Sequence, residues 1–227
     1  HSSVVTGSSQ SSDAAPSPVV LHDPAPGTLS VSMFVNMEQE TGDAQLMADV
    51  GLSFSQGEHI VQFAGNERVT CNGADLALKN RAATFQILHA PASQVAGTTM
   101  RCDYAAGAVA TVSLQIPSPP AITSPQSGAH IARGTQTLIT YRFDSATGSM
   151  MGIVALAVPT SSQPKAIAKL NTPGPLQATV DTSHFAPGPG SLALTASLAP
   201  HIVSSGLSFK SVNAGGSVMA TTAVTWV

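Results

Sequence analysis

Pro117-Ser118-Pro119-Pro120-Ala121-Ile122-Thr123-Ser124-Pro125-Gln126-Ser127-Gly128 divides the chain into two halves. Proline fixes φ and donates no backbone hydrogen bond, so a stretch this rich in it is expected to lie outside helix and sheet. On both sides apolar residues alternate with polar ones at period two, the signature of half-buried strands. The expectation is an all-β fold: two antiparallel β-sandwich domains in tandem, joined by a Pro-rich linker. Residues 1–27 would be a Ser/Ala/Pro-rich arm or tether, 28–117 the first sandwich and 118–227 the second. The four prolines predict a semi-rigid spacer, with a binding groove between the domains.

The strand pattern is explicit. Leu29, Val31, Met33, Val35 and Met37 share one face. Leu46, Ala48, Val50, Leu52 and Phe54 repeat the pattern, and His59–Phe63, Arg68–Cys71, Thr84–Leu88, Met100–Tyr104 and Ala108–Ile116 follow. In the second half, Ile139–Phe143, Ile153–Val158, Ala166–Leu170, Leu176–Val180, Leu192–Leu198 and Val218–Val227 read as strands. Glycine and proline clusters such as Pro187-Gly188-Pro189-Gly190 punctuate them. Helix signals are confined to a turn within Met37–Leu46 and a weak spacing over Ser162–Leu170, which Pro164 limits to a first turn.

Charged residues make up 9% of the chain, well below the ~25% of ordinary soluble proteins, while 43% is hydrophobic, enough for a core. The solvent face must therefore be built from Ser, Thr, Gln, Asn and Ala. The net charge of −3 divides unevenly, about −6 up to Pro120 and +3 beyond it. Neither half carries a basic cluster, so nucleic acid is excluded as a partner. No apolar run is long enough to span a bilayer, so membrane contact would be limited to an N-terminal anchor. His1 would be either a native residue or the last residue of a purification tag, and Asn-x-Ser/Thr sequons are absent, consistent with a bacterial source.

Cys71 and Cys102 are the only cysteines, and each sits in a strand pattern. Neither belongs to a CxxC motif, and two thiols alone do not make a zinc site. A disulfide is the leading reading, two buried thiols the other. The bond would close a loop of about thirty residues, contribute ~3–4 kcal/mol in the chain-entropy account, and imply an oxidising compartment.

The second half resembles the immunoglobulin-like and fibronectin type III-like modules of bacterial secreted and surface proteins. Ile122-Thr123-Ser124-Pro125-Gln126-Ser127-Gly128 would be the first strand and turn, and Thr137–Phe143 the second strand. Phe185-Ala186-Pro187-Gly188-Pro189-Gly190-Ser191-Leu192 would lead into the penultimate strand and Val218–Val227 would close the domain. The resemblance covers roughly residues 120–227 and implies a sandwich fold, not an activity. In the first half Gly97-Thr98-Thr99-Met100-Arg101-Cys102 resembles the immunoglobulin strand bearing the second cysteine. Met100 stands where those domains place a tyrosine, Cys71 is too near in sequence for the usual inter-sheet bridge, and Trp226 lies at the far end of the chain.

The sequence carries no catalytic signature. Gly51-Leu52-Ser53-Phe54-Ser55 and Gly206-Leu207-Ser208-Phe209-Lys210 lack the second glycine of a nucleophile elbow and read as ordinary strands. The seven histidines show no ligand spacing. Glu38, Glu40, Asp43 and Asp49 read as a solvated acidic turn in preference to a calcium loop, and Asp144 and Asp181 as turn residues in preference to a glycosidase pair. The methionines read as core filler. Catalytic, cofactor-binding and metal residues are therefore expected to be absent, and no cofactor is assigned. The expected function is a non-enzymatic secreted or surface-tethered binding or adhesion module, secreted, periplasmic or held at the surface by a lipoprotein anchor. Its partner would be a protein or glycan at the cell surface, with oligomers compatible with the pattern. The alternative is a structural subunit of a bacterial surface assembly. Weaker is an extracellular enzyme or a copper protein using His1, an arrangement similar to that of lytic polysaccharide monooxygenases.

Overall fold

Nearly every segment with period-two alternation is a strand, and the chain is almost wholly β. The computed structural model describes residues 17–39, 45–76, 84–133, 136–143, 148–159, 165–170, 177–183, 185–206 and 208–227. In the first half the strands are β1 (Val19–Leu21), β2 (Ser30–Gln39), β3 (Leu46–Gln56), β4 (His59–Phe63), β5 (Arg68–Cys71), β6 (Ala74–Asp75), β7 (Thr84–Pro91), β8 (Thr99–Ala105) and β9 (Val109–Gln115). One helical turn, α1 (Ala92–Val95), follows β7. The second half supplies β10 (Ala121–Ser124), β11 (Ala129–Ile131), β12 (Gln136–Arg142), β13 (Gly148–Pro159), β14 (Lys165–Leu170), β15 (Gln177–Asp181), β16 (Gly188–Pro200), β17 (Ile202–Gly206) and β18 (Ser211–Trp226).

One large sheet runs in the order β1-β4-β3-β2-β18-β16-β13-β14, with β7 also on β3 and β11 also on β18. Two smaller sheets, β17-β9-β8-β5-β6 and β10-β12-β15, supply the opposing layers. The larger core lies between the large sheet and the five-stranded one. It takes Val31, Met33 and Val35 from β2, Val50, Leu52 and Phe54 from β3, Tyr104 from β8 and Leu114 from β9. The second core lies against the three-stranded sheet and holds Ile131, Ile139, Val180, Phe185, Leu192, Val224 and Trp226. Phe185 meets Trp226 edge to face at 4.9 Å between ring centroids, a favoured aromatic geometry.

The two halves are joined by more than the proline stretch. β18 pairs in parallel with β2, Ser211 opposite Ser30 through Val218 opposite Met37. β17 adds an edge to the five-stranded sheet by pairing with β9. Leu194, Ala196 and Leu198 of β16 and Phe209 enter the larger core, where Phe209 stacks near Phe54 and Tyr104 at 6.1 and 6.2 Å. Residues 28–117 thus complete neither of their sheets without strands from beyond Pro117. The physical reason is area: β2 and β9 each present an open edge and an apolar face, and strands from the second half satisfy both.

Several sequence expectations need correction. The proline stretch contains a strand: β10 lies between Pro120 and Pro125 and, among the described residues, pairs with β12 alone, an edge position that the flanking prolines tolerate. The arm is not wholly a tether, because β1 pairs in parallel with β4 and a 3₁₀ turn follows at Pro26–Thr28. Residues 1–16, His1 among them, lie outside the described residues. Neither suggested helix is present where the chain is described: Met37–Gln39 and Leu46 are strand, and Lys165–Leu170 is β14. Ladder pairing overrides their weak helical spacing: Met37 pairs with β3 and β18, Leu46 with β2, and Lys165–Leu170 with β13. Gly51 lies within β3 and Gly206 ends β17, whereas Ser208 and Phe209 lie outside any strand. Met33, Met37 and Met100 are core residues, but Met219 is exposed.

The arm is fastened by polar contacts that the sequence did not announce. Glu67 is buried and accepts the Asp23 N–H at 2.6 Å and the Gly65 N–H at 2.8 Å. Asp23 Oδ1 accepts the Asn66 N–H at 2.8 Å. The Tyr104 hydroxyl donates to the Pro24 carbonyl at 2.8 Å. Burial first, then the Glu67 and Asp23 carboxylates, push the Tyr104 phenol well above its usual range.

Cys71 and Cys102 form a disulfide. They face each other directly on the neighbouring antiparallel strands β5 and β8. The bond therefore lies within one sheet and does not bridge two layers as in immunoglobulin domains.

Candidate functional site

The inner face of β18 explains where a cleft forms. Val218 belongs to the larger core, and Val224 and Trp226 belong to the second. Between them on the same face stand Ala220 and Thr222, both half-buried and too small to join the two cores. The chain crosses this gap as Ser118-Pro119-Pro120-Ala121-Ile122 on its way from the five-stranded to the three-stranded sheet. The result is a cleft of about 690 Å³ lined by that segment, by Leu46, by Arg142 and Phe143 at the end of β12, and by Ala220–Thr222. That volume lies within the ~300–1,000 Å³ typical of small-molecule sites.

Each wall has a reason. Pro119 and Pro120 offer rigid apolar rings and no N–H. Ile122 and Arg142 come from paired strands, since Ala121 lies opposite Arg142 and Ile122 opposite Tyr141. Arg142 is exposed, and among the described residues the lining contains no other charged side chain. Ser118, Thr221 and Thr222 add hydroxyls and Phe143 a half-buried ring. The arrangement can seat a compact ligand by its apolar face and hold an anionic or strongly accepting group at the guanidinium. Among the described residues, its lining holds no nucleophile–base pair. Tyr141, next to Arg142, has its phenol raised by burial and belongs to the larger core.

A second polar feature occupies the opposite, outer face of the large sheet. Asp49 Oδ1 receives the Gln86 amide at 3.0 Å and contacts His89 Nδ1 at 2.7 Å. A β-bulge on β7 opposite Val50 and Gly51 puts His89 there. Counting by twos from the buried Phe85 would turn His89 inward; the extra residue turns it outward. Glu38 and Asp49, read from sequence as parts of one acidic turn, both lie on this outer face, Glu38 exposed and Asp49 half-buried. Glu40 and Asp43 fall outside the described residues, as does Asp144. Asp181 ends β15, where its carboxylate accepts the Ser183 N–H at 2.9 Å. On the five-stranded sheet Arg101 pairs with Asp103 at 3.2 Å, and Thr111 donates to the same carboxylate.

Among the described residues, no group of three or more His, Cys, Asp or Glu side chains could hold a metal. Among them, too, no helix is long and apolar enough to cross a membrane. The sequence signalled the cleft only through its proline stretch; Arg142 and Ala220–Thr222 carried no local mark, because a gap between cores is a property of packing. No protein-family model matches this chain, and neither a curated protein nor a solved structure matches it.

Proposed function

We propose that the protein is a non-enzymatic binding module, secreted or tethered at a cell surface, whose ligand seats in the junction cleft. The observation that carries this reading is the cleft itself, with Arg142 the single charged side chain among the described residues of a Pro-, Thr- and Phe-lined wall. The intrasheet disulfide favours an oxidising location, periplasmic or extracellular. We read the two apolar cores as two immunoglobulin-like sandwich units that share β16 and β18, with the cleft at their junction. A rigid site of this kind suits recognition, since sharing long strands fixes the pose of the two units without any ligand.

The test is a binding screen on arrays of surface glycans and peptides, followed by Arg142→Glu and Thr222→Trp on any hit. Charge reversal and filling of the cleft should each abolish binding while leaving the far-ultraviolet circular dichroism unchanged. Binding indifferent to both substitutions would remove the cleft from consideration, and an empty screen would remove the module reading.

A structural subunit of a surface assembly is the second reading, favoured by one observation. β1 adds in parallel to the edge of the large sheet, and a segment that docks on its own edge can dock on a neighbour's. Monomeric behaviour of both the full chain and residues 28–227 at high concentration in size-exclusion chromatography would end this reading.

A further inference from the structure

The registers of four strand pairs place Ser197, Ser217, Asn36, Asp49 and His89 side by side across β16, β18, β2, β3 and β7. All five lie on the outer face of the large sheet, and all but the half-buried Asp49 are exposed. They are linked in part: Ser217 Oγ donates to Asn36 Oδ1 at 3.2 Å, and Asp49 contacts His89 at 2.7 Å. Four intervals of about 4.8 Å make a straight polar row roughly 19 Å long.

One ring flanks the row. Phe34 lies opposite Gly51 on one side and Gly215 on the other. Its ring covers Gly51 so closely that any side chain there would collide with it. Nothing lies within 4 Å of the position a Cβ at Gly215 would take. The ring therefore lies low over Gly51, with the Gly215 position left open on its other side, beside the hydroxyls and amide.

We propose that this face binds a neutral polysaccharide chain laid across the strands. Sugar hydroxyls both donate and accept, and the row offers acceptors at Asp49 and Asn36 and groups that do both at Ser197, Ser217 and Asn36. The C–H face of a sugar ring suits a flat aromatic side chain such as Phe34. Charge selects the class: Asp49 in the row, in contact with His89, and Glu38 beside it put two carboxylates on this face, and these oppose polyanions. The length of the row accommodates several consecutive sugar rings. The site is separate from the junction cleft, on the other face of the same sheet, and does not depend on it.

The experiment is affinity electrophoresis of the full chain in native gels containing hydroxyethyl cellulose or galactomannan, with alginate as the anionic counterpart. Retardation is expected in at least one neutral gel and not in alginate. Asn36→Ala and Asp49→Asn should each raise the apparent Kd at least tenfold, and Arg142→Glu should leave it unchanged. Both variants alter exposed or near-isosteric groups, and circular dichroism verifies their fold. Absence of retardation in both neutral gels, retardation in alginate alone, or mobility unaltered by both row substitutions overturns the proposal. Loss of neutral-gel retardation in Arg142→Glu would move the ligand to the cleft and overturn it equally.

Discussion

Replacing Gly216 with alanine tests whether β18 joins the two halves as described. Gly216 sits opposite Val35 in the parallel β18–β2 pair. A Cβ built there would overlap the Val35 carbonyl oxygen and stand 2.7 Å from its carbonyl carbon and 3.1 Å from its nitrogen. These are backbone atoms, so no rotamer change relieves the clash. Ordinary Cβ contacts begin near 3.4 Å, so the carbonyl carbon alone must retreat about 0.7 Å, and the oxygen farther. Overpacking of this kind costs about 1–3 kcal/mol. Weakening two ladder hydrogen bonds adds about 1 kcal/mol each, a total near 3–5 kcal/mol. With a urea m-value of about 2–3 kcal/mol/M for a chain of this size, the midpoint should fall by about 1–2.5 M. Trp226, the only tryptophan, lies in the second core. Its fluorescence during urea unfolding therefore reports whether damage at the β18–β2 seam reaches the other half. Gly215→Ala is the matched control, since nothing lies within 4 Å of its Cβ position, and its midpoint should barely move. Equal midpoints for the two variants would refute the close parallel seam.

The disulfide should contribute about 3–4 kcal/mol through loop closure; urea midpoints of Cys71→Ser/Cys102→Ser and of the reduced wild type should fall together, and an unchanged midpoint would show that the bond does not constrain the unfolded chain. Glu67→Ala removes the acceptor of two backbone N–H groups and should cost about 2–3 kcal/mol, with limited proteolysis cutting first near Asp23. A cut elsewhere, at the same rate as in the wild type, would argue against the clamp. Alkaline pH should also loosen the fold. Because burial and neighbouring carboxylates raise the Tyr104 phenol above its unfolded value near 10, the native state holds its proton more tightly. The stability tied to that proton is therefore complete below about pH 10 and declines as pH rises through the folded value. Tyr104→Phe should lose about 1 kcal/mol at neutral pH with the Pro24 hydrogen bond and show a shallower decline above pH 10; an identical alkaline slope would assign the titration to another group.

Strand positions were legible because a strand's alternation is local: the neighbours that bury Val31, Val50 or Leu194 act on every second residue whatever strand they come from. His89 marks where that logic fails. A single bulged residue on β7 reverses its face, and no composition signal announces the bulge. Glu67 is another case: no local pattern marks it, yet it is buried and accepts two backbone N–H groups.

The sequence by itself determined that this chain is β throughout, that its surface is nearly uncharged, and that the chain's course changes at Pro117–Gly128. Composition and periodicity are sums over short windows, and proline acts on its own backbone. Which strands become neighbours was decided only in three dimensions. The β2–β18 pair joins residues some 180 positions apart, and its choice depends on which open edge and apolar face best fit each other. The proline stretch therefore marks a change of layer within sheets that continue past it. The cleft at that crossing and the polar row on the outer face exist only because β18 reaches across both halves.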